Sequence, residues 1–220
     1  MSKRDEFLRS ILEPTSTAVL TMEMQEGVVG SGGQLLPALS EEVERTGVLD
    51  VARRVCNAAR NVGARVVHCT AEFRADGAGT VANCRILARN ERMRLEGGGS
   101  ATQIGTPGVD LVEGLRDPSD IVVPRMHGMT PFTSTSLDQI LRNLGIRTVV
   151  ATGVSVNIGI FGMVVSGVDL GYQAVVVRDA VVGIPAEYAQ AVIDNSLAML
   201  ATIVTADELL AAWSALKPAT

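Results

Sequence analysis

The sequence predicts an α/β fold: one doubly wound domain, covering 1–220, with helices on both faces of a six-stranded parallel sheet. Two observations predict it. Five short runs rich in Val, Ile and Ala are each bounded by turn residues, and the segments between them place apolar residues at helical spacing. Strands that alternate with helices in this way favour a parallel sheet with right-handed crossovers. No internal repeat or long linker indicates a second domain.

The predicted strands are apolar along their whole length rather than at every second residue. Such continuous apolar character is typical of strands that are buried on both faces of a sheet. The five runs are TAVLTMEM (17–24), ARVVHCTA (64–71), DIVVPR (120–125), RTVVATGV (147–154) and QAVVVRDA (173–180). A sixth strand, at the edge of the sheet, is expected in IVTA (203–206).

The predicted helices lie between these strands. Apolar residues at helical spacing mark two of them, Val48, Ala52, Val55, Cys56 and Ala59 in the first and Leu137, Ile140, Leu141 and Leu144 in the second. A third helix is expected from about Pro185 to Leu200, and a last one around Trp213. Two glycine-rich segments, 77–84 and 96–108, lie between the second and third strands. Each forms a lid, a partner interface or a mobile surface loop.

The composition restricts the classes of partner. The apolar share of 47% and the charged share of 20% indicate a globular protein. A formal net charge of −5 gives no electrostatic support for binding nucleic acid or an anionic membrane. Cys56, Cys69 and Cys84 lack the spacing of a zinc site and are expected to be reduced thiols. We therefore expect a cytoplasmic protein that binds a small molecule or another protein chain.

Polar residues gather where the predicted strands end. In a doubly wound sheet, ligands bind outside the carboxyl ends of the strands. Glu23 ends the first run and Arg125 ends the third. In a dry cleft such a pair either transfers protons or forms a structural ion pair. The other polar candidates near strand ends are Gln25, His68, Thr70, Glu72, His127, Ser155 and Asn157.

Several of these candidates have a structural interpretation as well. Glu72 lies either in a site or in solvent, where the chain leaves the sheet. His68, in mid-strand, is predicted to be a hydrogen-bonded core residue, and His127 lies either in the site or on the surface. The turn VSVNIG enters a helix and offers backbone N–H groups to an anion. Its Gly159 allows either a ligand or another helix to approach closely.

Three blocks of the sequence resemble the isochorismatase-like superfamily, also called the cysteine hydrolases. They are PFTSTSLDQILRNLGIRTVVATGVSVNIGI, GYQAVVVRDAV and TAVLTMEMQE, and the last is similar to a first strand that normally ends in Asp-x-Gln. The resemblance runs from about Thr17 to about Leu210. It implies a Rossmann-like, three-layer fold and a hydrolase activity.

The resemblance also implies where a catalytic triad would lie. Members of the family use Asp, Lys and Cys, and the thiol attacks a carbonyl carbon. The aspartate position falls on Glu23, the lysine position on Arg125 and the cysteine position on Gly159. A thiol acyl-enzyme therefore cannot form at Gly159. No other cysteine aligns there, although Cys69 lies near a strand end.

Members that cleave a vinyl ether also have glycine at this turn, within G-V-Y-A-H-I-G, which VSVNIG resembles. The peptide bond between Val154 and Ser155 is expected to be cis, as in relatives. The residues expected to contact substrate are Gln25, Glu72, Arg85, His127, Phe132, Val154, Ser155 and Asn157. We expect no metal and no other cofactor, because the metal-binding cluster of some members has no counterpart here.

The sequence therefore predicts a hydrolase that cleaves an enol ether, an amide or a related bond of a small organic molecule without a cysteine nucleophile. Glu23 is the expected acid and base, and Arg125 the expected charge stabiliser. The alternative is a catalytically inactive ligand-binding or scaffold protein with the same fold. Since relatives are commonly dimers or tetramers, a homo-oligomer is expected.

Overall fold

The computed structural model describes residues 2–30 and 35–216. Within them, six parallel strands form one sheet: β1 (Thr17–Met22), β2 (Arg65–Ala71), β3 (Ile121–Arg125), β4 (Thr148–Val154), β5 (Gln173–Val182) and β6 (Thr202–Val204). Their order across the sheet is β3-β2-β1-β4-β5-β6. The order reverses between β1 and β4, so a crevice is expected outside the carboxyl ends of these two strands. The predicted doubly wound, six-stranded parallel sheet is confirmed.

Ten α-helices accompany the sheet in the described residues. They are α1 (Lys3–Ile11), α2 (Glu26–Val29), α3 (Pro37–Thr46), α4 (Val48–Val62), α5 (Arg85–Leu95), α6 (Leu137–Asn143), α7 (Phe161–Asp169), α8 (Ala186–Val192), α9 (Ala198–Leu200) and α10 (Ala206–Ser214). One π-helical turn, Val156–Ile160, connects β4 to α7, and another, Ile193–Leu197, connects α8 to α9.

Helices cover both faces of the sheet, which gives two hydrophobic cores. Helices α1, α3, α4 and α10 pack on one face, against strand residues such as Val19, Val66 and Val175. Helices α6, α7 and α8 pack on the other face, against residues such as Leu20 and Val176. Adjacent residues of a strand point to opposite faces, so strands buried between two helical layers are apolar throughout.

The predicted elements are present, with differences at their ends that have local causes. The expected strand 203–206 is the shorter β6, because Thr205 is the N-cap of α10 and forms a capping box with Glu208. Strand β5 continues to Val182, because it pairs with β4 again beyond a shift of register. The expected helix from about Pro185 to Leu200 is interrupted by the π-helical turn. Helices α1 and α3 were not predicted.

The glycine-rich segment 96–108 is fastened to the body of the protein rather than loose. Phe73 donates its N–H to the carbonyl of Thr102 at 3.0 Å and accepts from the N–H of Ile104 at 2.8 Å. The carbonyl of Ala101 packs against Gly27 and Gly108, where any Cβ would overlap it. The segment 77–84 is mostly exposed and is attached through Thr80, whose hydroxyl donates to the carbonyl of Met126.

Candidate active site

Glu23 and Arg125 come from strands that are not neighbours, since β2 lies between β1 and β3. Arg125 is the last residue of β3, and Glu23 directly follows β1. Glu23 has a φ of 52°, in the left-handed region that residues other than glycine rarely adopt. Its N–H still donates to the carbonyl of Cys69 on β2, at 2.9 Å. The chain therefore turns sharply at Glu23 while remaining attached to the sheet.

The two charged groups form an ion pair in which Nη2 of Arg125 donates to Oε1 of Glu23. The side chains are 5% and 18% exposed, respectively. Nε of Arg125 donates to the carbonyl of Gly128 at 3.0 Å. Its Nη1 is buried and has no hydrogen-bond partner among the residues that the structure describes. One N–H group of this buried cation therefore has no acceptor among the described residues.

Gly159 lies in the π-helical turn between β4 and α7 and is buried. A Cβ built on it would lie 3.0 Å from Cε of Met22 and 3.0 Å from the carbonyl oxygen of Val154. Both distances are tighter than ordinary van der Waals contact, so Met22 occupies part of the space that a side chain would need. Among the described residues that line the adjoining pocket, none carries a thiol.

A pocket opens at the carboxyl ends of the strands, with Glu23, Arg125 and Gly159 in its wall. Its cavity volume is small, about 50 Å³. The walls are mainly apolar, and they come from α2, the segment before α3, α5 and the turn that follows β4. The apolar lining residues include Val28, Leu36, Leu39, Phe73, Leu87 and Ile158. Such a concave, apolar site with few polar groups is typical of small-molecule binding.

Two polar residues of the pocket were not predicted from the sequence. Asn90, on α5, is 4% exposed, and Thr102, in the fastened segment 96–108, is 1% exposed. Oδ1 of Asn90 accepts a hydrogen bond from the N–H of Ala101 at 3.3 Å. A signal for Asn90 was present, since it follows the apolar Leu87 by one helical turn and so shares its face. For the segment 96–108 the sequence leaves open a lid, a partner interface or a mobile loop, and it does not single out Thr102 as the residue that reaches the pocket.

Ser155 also lines the pocket, and the peptide bond between Val154 and Ser155 is cis. Val154 is fully buried and presents its carbonyl oxygen toward Gly159. Of the eight residues expected to contact substrate, Ser155 is the one found among the described residues that line the pocket.

Gln25 braces the site rather than facing it. Its Nε2 donates to the carbonyls of Ala71 and Val109, both at 3.0 Å, and its Oε1 accepts from the N–H of Ala71 at 2.8 Å. The side chain is completely buried. Because these bonds occupy the amide, Gln25 holds the end of β2 in place, and it is not among the described residues that line the pocket.

Two other residues expected to contact substrate, Arg85 and Glu72, are not among the described residues that line the pocket. Arg85 begins α5 and is exposed, while the pocket is lined from its neighbours Ile86 and Leu87. The sequence does not show which side of α5 faces the pocket, because a long segment separates this helix from β2. Glu72 is half-buried and accepts from the hydroxyl of Thr70 at 3.0 Å.

The remaining three predicted contacts have structural surroundings. Phe132 stacks on Tyr172, with ring centroids 5.7 Å apart, and belongs to a hydrophobic core. Asn157 donates to the carbonyl of Ile184 at 3.3 Å. His127 is half-buried beside Gly128, outside the pocket lining.

His68 is a hydrogen-bonded core residue, as its position in mid-strand predicts. Its Nδ1 lies 2.7 Å from the hydroxyl of Thr21, and its Nε2 lies 2.9 Å from Oδ2 of Asp120. Asp120 also forms an ion pair with Arg60 at 2.6 Å. Burial lowers the pKa of His68, although the carboxylate of Asp120 opposes this effect.

The three cysteines are free, and they differ in exposure. Cys56 and Cys69 are buried, and burial raises the pKa of each thiol to about 12. Neither is therefore a thiolate near neutral pH. Cys84, in contrast, is exposed at the N-cap of α5.

No cluster of three or more His, Cys, Asp or Glu side chains in the described chain is arranged to hold a metal ion. Within the same residues, no helix has the length and apolar character needed to cross a membrane.

A model of the isochorismatase domain matches residues 17–208, a stretch that includes all six strands. The chain belongs to the isochorismatase family. Among curated relatives of this isochorismatase-family protein, the ureidoacrylate amidohydrolase RutB of Pseudomonas syringae pv. syringae (strain B728a) is 32% identical over 187 residues, which cover 81% of this chain and 76% of the relative. The RutB of Methylorubrum extorquens is 32% identical over 173 residues, covering 75% and 69% of the two chains.

Solved structures agree with this assignment. An isochorismatase family protein from Desulfovibrio vulgaris superposes on this chain with a TM-score of 0.76 and 28% identity. The superposition covers 89% of this chain and 98% of the other. A cysteine hydrolase from Pseudomonas syringae pv. phaseolicola 1448A gives a TM-score of 0.78 at 19% identity, covering 93% and 95%. The second likeness bears on the fold alone.

Proposed function

We propose that this isochorismatase-family protein hydrolyses an amide or a related bond of a small organic molecule, with water in place of a cysteine nucleophile. Glu23 acts as base and then as acid, and Arg125 stabilises the developing charge. The observation that carries the proposal is the Glu23–Arg125 ion pair in the wall of an apolar pocket, next to a glycine where the family resemblance leads one to expect a thiol.

The proposed reaction begins with a water molecule bound between Glu23 and the substrate carbonyl. Glu23 takes a proton from this water as its oxygen forms a bond to the carbonyl carbon. The carbonyl oxygen becomes an oxyanion and accepts a hydrogen bond from the unpaired Nη1–H of Arg125. As the oxyanion collapses, the C–N bond breaks. The leaving nitrogen takes the proton from Glu23, which returns to its starting state.

The roles are divided by proton chemistry. A guanidinium stays protonated at all ordinary pH values, so Arg125 binds charge without transferring a proton. Glu23 is therefore the member of the pair that exchanges protons. The side chain of Asp is one methylene shorter than that of Glu. The longer side chain of Glu23 reaches across the end of β2 to contact Arg125.

The relatives favour amide chemistry over enol-ether cleavage, because they are named as ureidoacrylate amidohydrolases. The glycine at position 159 supports enol-ether cleavage, since members with that activity resemble this chain there. In that reaction Glu23, as acid, would protonate the enol-ether carbon, and water would then attack the resulting cation.

A hydrolysis screen with amides, ureido compounds, esters and enol ethers tests the proposal. Wild-type protein should hydrolyse at least one amide or ureido compound, and Glu23→Gln should reduce kcat by about 100-fold or more. Arg142→Met, which removes an exposed arginine from α6, is the matched control and should leave the rate unchanged. Ligand binding without turnover by wild type across the screen would contradict the proposal and favour the ligand-binding alternative.

A further inference from the structure

The pocket carries no net charge of its own. Over the described lining residues, the charged groups are Glu23 and Arg125, and they neutralise each other. A carboxylate on the substrate would enter an apolar cavity beside the carboxylate of Glu23 with no additional cation to pair with. Burial of an unpaired charge is strongly unfavourable, and two close carboxylates repel each other. The geometry therefore selects against anionic substrates.

Asn90 supplies a directional contact in this otherwise apolar wall. Because its Oδ1 accepts from the N–H of Ala101, its Nδ2 is the end left over, and that end has no partner within 2–30 and 35–216. An amide nitrogen is a hydrogen-bond donor only. It can therefore donate a hydrogen bond to an acceptor oxygen of the ligand, whereas a hydrocarbon offers it no acceptor.

The orientation of Asn90 is fixed by the backbone around Ala101. The carbonyl of Ala101 lies against the Cα atoms of Gly27 and Gly108, where a side chain would collide with it. Thr102, the next residue, is bonded to Phe73 through its carbonyl. The acceptor side of the Asn90 amide is thus anchored by a segment that is itself held on both sides, which leaves the donor side for a ligand in the pocket that Asn90 lines.

We propose that the pocket takes uncharged amides with a short hydrocarbon arm and that Asn90 is a specificity-determining residue, which binds an acceptor oxygen on that arm. This inference deepens the proposed function and rests on it for the amide group. It separates this protein from its curated relatives, because the acrylate part of the ureidoacrylate in their name is a carboxylate.

Three five-carbon amides provide the test: valeramide, levulinamide, which adds a ketone oxygen, and glutaric acid monoamide, which ends in a carboxylate. Dissociation constants are measured on the full chain by ligand-observed NMR. Levulinamide should bind about tenfold more tightly than valeramide, and valeramide about tenfold more tightly than the monoamide. Equal binding of the three, tightest binding of the monoamide, or no binding of any of them would overturn the inference.

Two variants assign the ketone preference to Asn90. Asn90→Leu removes the amide, and Asn90→Asp keeps an oxygen for the N–H of Ala101 while losing the donor. Both should lose the preference for levulinamide over valeramide, and Asn90→Leu should retain the binding of valeramide. Asn143→Leu, an exposed asparagine on α6, should keep the preference. A preference that survives in both Asn90 variants would contradict the assignment.

The same NMR spectra record product formation, so the two claims fail separately. Selective binding without product contradicts the proposed function and leaves the selectivity in place. Product formation without selective binding contradicts the inferred selectivity and leaves the proposed function in place.

Discussion

Oε1 of Glu23 accepts a hydrogen bond from Nη2 of Arg125 across the carboxyl end of β2, between residues 102 positions apart in sequence. The contact exists because all strands are parallel and β3, β2 and β1 are adjacent in that order. Their carboxyl ends share one edge of the sheet, and the left-handed turn at Glu23 directs the chain over that edge. The same edge contains Gly159, so the charges and the vacant side-chain position form one site.

The first prediction concerns the strength of this ion pair. Arg125→Met leaves a mostly buried carboxylate unpaired and should lower the free energy of unfolding by about 2–4 kcal/mol. Adding Glu23→Gln to Arg125→Met should restore part of the loss, as urea denaturation can measure. Arg74→Met breaks a pair whose side chains are 53% and 55% exposed and should leave stability almost unchanged, because solvent screens exposed charges. Equal effects at the two arginines would contradict the prediction.

Gly159 should be intolerant of any side chain. Gly159→Ala places a Cβ against Met22 and a backbone carbonyl, and overpacking of this kind destabilises by about 1–3 kcal/mol. Gly162→Ala, on α7, meets Thr130 at 3.5 Å, an ordinary contact, and should be neutral or slightly stabilising. Thermal unfolding of the two variants decides. If Gly159→Ala is the more stable one, the space beside Met22 is not tight.

Thiol labelling should distinguish the cysteines. At about pH 8, iodoacetamide should modify the exposed Cys84 within minutes and leave Cys56 and Cys69 unmodified in the folded protein, because their pKa values are raised by burial. Mass spectrometry should show one adduct before and three after denaturation. Rapid modification of Cys69 in the folded state would contradict its burial.

His68 should make stability depend on pH. Its pKa is lowered by burial in the folded state, whereas in the unfolded chain it is about 6.5. Between these two values the unfolded state binds more protons, so stability should fall as pH is lowered from about 6.5. The slope should be reduced in His68→Gln. The neighbouring Asp120, for which burial acts to raise the pKa but hydrogen bonds from Arg60 and His68 hold it low, adds a loss at more acidic pH. A slope unchanged in His68→Gln would contradict the assignment to His68.

The sequence was informative wherever a residue's neighbours were set by the sheet. Continuous apolar runs predict the strands, and the ends of those runs place Glu23 and Arg125 at one edge of the sheet. It failed where loops decide the direction of a side chain. Arg85 and Leu87 lie two residues apart on α5, yet the first is exposed and the second lines the pocket. Thr102 reaches the pocket only because its segment pairs with Phe73.

Gln25 shows a different limit. Its position two residues after Glu23 suggested a substrate contact, but a buried amide must satisfy its own donors and acceptor, and the backbone at Ala71 and Val109 does so here. Sequence reasoning has no means of knowing which backbone groups a loop leaves unpaired. The same holds for Phe132, whose ring finds Tyr172 in the core.

The most direct test of the account compares two variants on one substrate found in the screen: Glu23→Gln, and a variant with Cys56, Cys69 and Cys84 all changed to Ala. We predict that the cysteine-free protein keeps kcat/KM within about threefold of wild type, whereas Glu23→Gln loses about 100-fold or more while remaining folded by circular dichroism. Loss of activity in the folded cysteine-free protein, or wild-type activity in Glu23→Gln, would contradict hydrolysis by a carboxylate and water.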